Sequence, residues 1–148
     1  MSLELNIIGN YSCQKYYAYI KKLINLLKNR GYIINVLGHI QITQTLLRKY
    51  HVMVLPTVGE NFSHTIVEAA QCGLFNLISN NTPWFKKTIA AKENLTYIPI
   101  ENDILYIESI KNLINLNPTK FNEYVIEQQL EVAKEIKNSN QTVRNFLI

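Results

Sequence analysis

Aspartate is nearly missing from this 148-residue chain: of eleven acidic residues ten are glutamate, and only Asp103 is aspartate. That excludes an Asp-x-Asp metal clamp, an EF-hand loop and an Asp–Asp acid pair. Cysteine is scarce as well. Cys13 and Cys72 stand far apart without Cys-x-x-Cys spacing, which reads as two buried thiols in a reducing compartment. The five glycines are isolated, so neither the dinucleotide fingerprint nor the P-loop is present. His39, His51 and His64 have no ligand spacing among themselves or with the cysteines, so no metal site is expected. Ser63 adjoins His64, but Gly-x-Ser-x-Gly is absent and with it the nucleophile elbow. No apolar run reaches 18 residues and the start lacks a charged-then-apolar pattern, so a cytoplasmic protein is expected. The net charge of +4 comes from scattered lysines rather than a basic stripe with interleaved aromatics. Nucleic acid is therefore not an expected partner.

What is present suffices for a folded core, since 47% of residues are hydrophobic. Short apolar runs alternate with helix-period segments. Leu3–Ile8, Ile33–Leu37, Val52–Leu55, Phe75–Ser79 and Leu95–Ile98 read as strands. Between them lie helical segments: one with apolar positions Tyr16, Ile20, Leu23, Ile24 and Leu27, then Ile42–Lys49, Thr65–Cys72 and Trp84–Ala91. Ile104–Leu116 and Phe121–Lys137 complete the chain as helices split at Asn117-Pro118. Strand–helix alternation with short connections predicts a Rossmann-like three-layer α/β domain over residues 1–148. Its parallel sheet would have about five strands with helices on both faces, and 102–148 would form a C-terminal helical extension.

In such sheets ligands bind beyond the carboxyl ends of the strands. The segment Pro56-Thr57-Val58-Gly59-Glu60-Asn61-Phe62-Ser63-His64-Thr65-Ile66-Val67-Glu68 carries the most chemistry there. It runs from a strand end, through a loop bearing Glu60, into a helix bearing Glu68. Glu68 lies about 7 Å along that helix from Ser63 at ~1.5 Å per residue. Free N–H groups of the first turn and the helix dipole favour an anion, and carboxylates suit vicinal hydroxyls. The parts could thus hold a sugar, a diphosphate and a ribose. An exposed loop charge at Glu60 and a solvated Glu68 are the plainer alternative, with Ile66, Ala69, Ala70 and Gly73 facing the sheet.

In this frame Glu60 and Glu68 resemble the Glu-x7-Glu motif of family 4 retaining, nucleotide-sugar-dependent glycosyltransferases of GT-B architecture. The similarity extends over Ile8-Gly9, Val36–Ile40, Leu55–Phe62, Ile66–Ala69, Cys72-Gly73, Ile78-Ser79 and Thr82-Pro83-Trp84. The Pro-Thr-x-Gly-Glu-Asn-Phe and Thr-Pro-Trp stretches are similar to a bacterial subgroup acting in surface-polysaccharide assembly.

The resemblance implies the donor-binding half of a retaining transferase that moves a sugar to an acceptor hydroxyl. It implies Glu60 as the catalytic contact to the transferred sugar, and amides of Asn61, Phe62, Ser63 and His64 on sugar and diphosphate. Glu68 would hold the ribose, and Gly38, His39 and Ile40 would present backbone to the base. Thr82 and Trp84 would lie by the donor pocket, with Trp84 equally readable as a core anchor. A UDP-sugar is the implied substrate, with no cofactor or metal. The acceptor, a glycan or lipid-linked glycan, would be bound by a further domain upstream of Leu3, where the first strand of this domain and its basic phosphate loop would also lie. The fragment alone would be inactive, and peripheral placement at the inner membrane face is left open. Without that central first strand, Leu3–Ile8 and Val52–Leu55 are expected to pair directly, or a second copy to fill the gap as a homo-oligomer. Ser63 stands where the family usually has Gly, Phe75 where Pro is usual and Asn80 where Asp is common. These departures keep a degenerate nucleotide-sugar-binding module, or a helix-rich interaction domain, as rival readings.

Overall fold

The computed structural model describes residues 3–59, 63–79, 97–99 and 102–146. The chain divides into two compact units, Met1–Ile42 and Thr43–Ile148. In the first, β1 (Glu4–Ile8) and β2 (Ile33–Gly38) flank helix α1 (Gln14–Asn29). The strands pair in parallel from Glu4↔Ile33 to Ile8↔Gly38, with a register shift between Ile7 and Ile8. Beyond the shift the Gly9 N–H donates to the Gly38 carbonyl at 2.9 Å. Gly38 has φ +66°, a left-handed conformation that disfavours a side chain. One face of this ladder is polar: Asn35 Nδ2 donates to Glu4 Oε1 at 2.8 Å and to Asn6 Oδ1 at 3.1 Å. Among the described residues of this unit, Ile24 of α1 and Ile34 of β2 are the buried apolar side chains.

The second unit opens with α2 (Gln44–Leu47), capped by Thr43, whose hydroxyl accepts the Leu46 N–H. Then follow β3 (Val52–Leu55), α3 (His64–Gln71), β4 (Phe75–Ser79), β5 (Tyr97–Ile98), α4 (Asp103–Asn115) and α5 (Pro118–Phe146). The sheet is parallel in the order β3-β4-β5. All five residues of β4 are buried, as a central strand covered on both faces requires. On one face Ile78 packs with Ile66 and Ala70 of α3 and Val132 of α5. On the other, Phe75 and Leu77 pack with Leu113 of α4 and Val125 of α5. Helix α5 therefore supplies apolar side chains to both layers.

Between Val125 and Val132, Gln128 meets the strand edge. Its Oε1 accepts the Asn76 N–H at 2.9 Å and its Nε2 donates to the Asn76 carbonyl at 3.2 Å. The described part of β5 pairs only with Ile78 and Ser79. One side-chain amide thus does for Asn76 what a neighbouring strand would do, and a buried backbone pair is satisfied.

The α/β architecture with parallel strands and helices on both faces of the β3-β4-β5 sheet is as the sequence predicts. The five strands, however, divide into two ladders, β1-β2 in the first unit and β3-β4-β5 in the second. Apolar patterning fixes which side chains seek a core, whereas edge pairing depends on backbone groups that every residue shares. The thiols differ from expectation as well. Both are free, Cys13 exposed and Cys72 partly so, because each flanks a helix terminus, Cys13 before α1 and Cys72 after α3. Helix α5 starts at Pro118 rather than at Phe121. Proline has no N–H to lose at a first helical position, and Asn117 caps the start by accepting the Lys120 N–H at 2.8 Å. The predicted helix Trp84–Ala91 lies outside the described residues. Among the described residues no helix is long and apolar enough to cross a membrane.

Candidate functional site

The carboxyl ends of β3 and β4 and the amino end of α3 frame the candidate site of the second unit. Beyond β3 the chain turns at once: the Thr57 N–H donates to the Leu55 carbonyl at 3.0 Å. The Thr57 hydroxyl donates to the Gly59 carbonyl at 3.2 Å. From the end of β4, the hydroxyl of fully buried Ser79 donates a short hydrogen bond to the Thr57 carbonyl. The loop leaving β3 is therefore held to the neighbouring strand end before it reaches Glu60.

Helix α3 begins at Ser63, whose extended backbone (φ −102°, ψ 105°) marks it as N-cap. The Ser63 carbonyl accepts the N–H groups of Ile66 and Val67 at 3.2 and 3.3 Å. Its side chain makes no capping hydrogen bond, although the residue is only 5% exposed. The hydroxyl thus takes up no first-turn amide, contrary to the usual task of a serine at that position. No acidic side chain occupies the first turn, so nothing on α3 offsets the positive end of its dipole there. Ile66, Ala69 and Ala70 are fully buried. The helix stops at Gly73 (φ +86°), where Leu74 and Gly73 donate to the carbonyls of Ala69 and Ala70, both at 3.0 Å.

His64 and Glu68 are both exposed and stand one helical turn apart, which puts them on the same side of α3. Ser63, His64 and Glu68 are thus gathered on one short helix. Gly38 ends β2 in the first unit and His39 and Ile40 follow it, with His39 exposed and Gly38 and Ile40 half-buried. Glu60, Asn61, Phe62, Thr82 and Trp84 lie outside the described residues. Among the described residues no group of three or more His, Cys, Asp or Glu side chains could hold a metal ion. The contribution of Thr57 and Ser79 is invisible in the motif. Its only trace in the sequence is a hydroxyl residue immediately after one strand and at the end of the next.

Solved structures share this fold. Anabaena HepE in complex with UDP aligns with 98% of this chain and 40% of its own, at 16% identity and a TM-score of 0.76. Sucrose-phosphate synthase from Thermosynechococcus elongatus aligns over 97% of this chain and 38% of its own, at 15% identity and a TM-score of 0.70. The pneumococcal O-GlcNAc transferase GtfA, in complex with UDP and GlcNAc, aligns over 98% and 30%, at 20% identity and a TM-score of 0.68. The fold is thus that of a Rossmann-like glycosyltransferase domain, and the chain spans less than half the length of each of these proteins. The model of the glycosyl transferases group 1 family matches residues 2–144, and the chain belongs to that family. No curated protein matches it.

Proposed function

We propose that this chain is the donor-binding half of a retaining, family 4 glycosyltransferase that takes a UDP-sugar and passes the sugar to an acceptor hydroxyl. The observation that carries this is the amino end of α3: a buried serine whose hydroxyl makes no cap, no first-turn carboxylate, and Glu68 one turn in. Such an end attracts a diphosphate, while Glu68 offers two acceptor oxygens to the diol of a ribose. The UDP complexes of HepE and GtfA support the choice of nucleotide.

In this reading Glu60 contacts the transferred sugar, and the amides of Asn61 to His64 stabilise charge on the departing diphosphate, the main source of rate. Gly38, His39 and Ile40 present backbone to the base, and Thr82 and Trp84 border the donor. No metal or cofactor takes part. The reaction belongs to bacterial surface-polysaccharide assembly in the cytoplasm, with a glycan or lipid-linked glycan acceptor bound by a further domain, so the 148-residue chain alone does not turn over.

Calorimetric titration of the chain with UDP, GDP and ADP tests the reading. Binding of UDP that weakens about tenfold in Glu68→Ala, equivalent to ~1.4 kcal/mol, is the expected result. Failure to bind any of the three nucleotides overturns it and favours an interaction domain that keeps the fold.

A further inference from the structure

A wholly buried hydroxyl needs an acceptor, and in a strand the nearest acceptors belong to the sheet. The Ser79 hydroxyl instead reaches the carbonyl of Thr57, two residues past the end of β3. Ser79 lies one step beyond the last β3–β4 rung, Leu55↔Ile78, so the contact extends the grip of the sheet onto the loop. Thr57 passes it on: its own hydroxyl donates to the Gly59 carbonyl. That carbonyl belongs to the rigid, planar peptide unit whose nitrogen is that of Glu60. Two hydroxyls in series therefore connect a buried strand end to the peptide bond from which Glu60 departs.

We infer that Ser79 and Thr57 are positioning residues for sugar recognition: the relay Ser79–Thr57–Gly59 sets the direction in which the chain enters Glu60. The inference rests on the donor-site reading above. A displacement of the reacting groups by an ångström is costly in such sites, so the relay matters for the sugar and little for the nucleotide.

The test is titration of the chain with UDP and with UDP-glucose. Thr57→Val removes the hydroxyl at equal volume on a half-buried residue, and Thr57→Ser keeps it. In Thr57→Val, UDP-glucose affinity is expected to fall about tenfold while UDP affinity stays within about twofold; Thr57→Ser behaves as wild type. Ser79→Ala gives the same split, and amide hydrogen exchange of Val58 and Gly59 speeds up in both Ser79→Ala and Thr57→Val. Equal losses for the two ligands, or no loss for either, overturn the positioning role while leaving nucleotide binding in place. A wild-type chain that binds neither ligand overturns the functional reading and the relay's role with it.

Discussion

Gln128 of α5 embraces the backbone of Asn76 in β4, accepting from its N–H and donating to its carbonyl. Both residues are buried, at 4% and 0% exposure. The Asn76 side chain adds a longer contact, from Nδ2 to the Ile66 carbonyl at 3.4 Å. Gln129 next door donates to the Ala70 carbonyl at 2.8 Å. Helix α5 is thereby fixed in register against β4 and α3.

Replacing Gln128 by Ala strips a buried N–H and a buried carbonyl of their partner. Each such loss costs about 1–3 kcal/mol, so Gln128→Ala is expected to destabilise the fold by about 2–4 kcal/mol. Urea denaturation checks this; a change in midpoint no greater than that of an exposed control such as Glu127→Ala contradicts it.

Ser63 allows stability and affinity to be separated. A capping serine ordinarily loses about 0.5–2 kcal/mol on mutation to Ala, but this side chain makes no cap. Ser63→Ala is therefore expected to leave the melting temperature almost unchanged. If the hydroxyl serves the diphosphate, the same substitution weakens UDP several-fold and leaves uridine alone. Melting curves and parallel titrations with the two ligands decide it.

The Tyr106 hydroxyl is buried without a hydrogen-bond partner, and burial raises its pKa above 10.0. The folded state then keeps its proton at a pH where the unfolded chain releases one. Tyr106 contributes no pH dependence below about pH 10, and stability falls as pH rises from there through the folded-state pKa. Tyr106→Phe is expected to be neutral or stabilising by up to about 1 kcal/mol at pH 7, and to lose stability less steeply than wild type between pH 9 and 11. Urea midpoints of both proteins across that range provide the comparison.

Gly38 closes β2 at φ +66° with open space where a side chain would go. Gly38→Ala therefore meets no clash but does meet backbone strain, at about 1 kcal/mol. Thermal denaturation should show that modest loss. A neutral result would mean that the β2 end readily adopts another conformation.

The strand–loop–helix core of the site was legible because its signals are local. VMVL ends at Pro56, Ile66, Ala69 and Ala70 recur at helical spacing, and Gly73 stops the helix. What was not legible depends on distant partners. Gln128 reads as one more polar residue, although it falls three after Val125 and four before Val132, on the buried stripe. Hydropathy alone does not say that an amide on that stripe will finish a sheet. The division of the strands into two ladders is hidden for the same reason. Ser79 reads as a strand terminus, and only the structure shows that its hydroxyl serves a loop 22 residues earlier. Glu60 and Glu68 were found from their spacing, and of the two only Glu68 falls within the described residues.

Because α5 buttresses the sheet from both sides and is buttoned to its middle strand, it behaves as a keystone rather than a tail. Shortening the protein at Asn117 would expose the hydrocarbon of two layers at once and leave Asn76 without its clasp. The Thr43–Ile148 unit should accordingly melt in a single transition, with α3 and its last helix losing structure together.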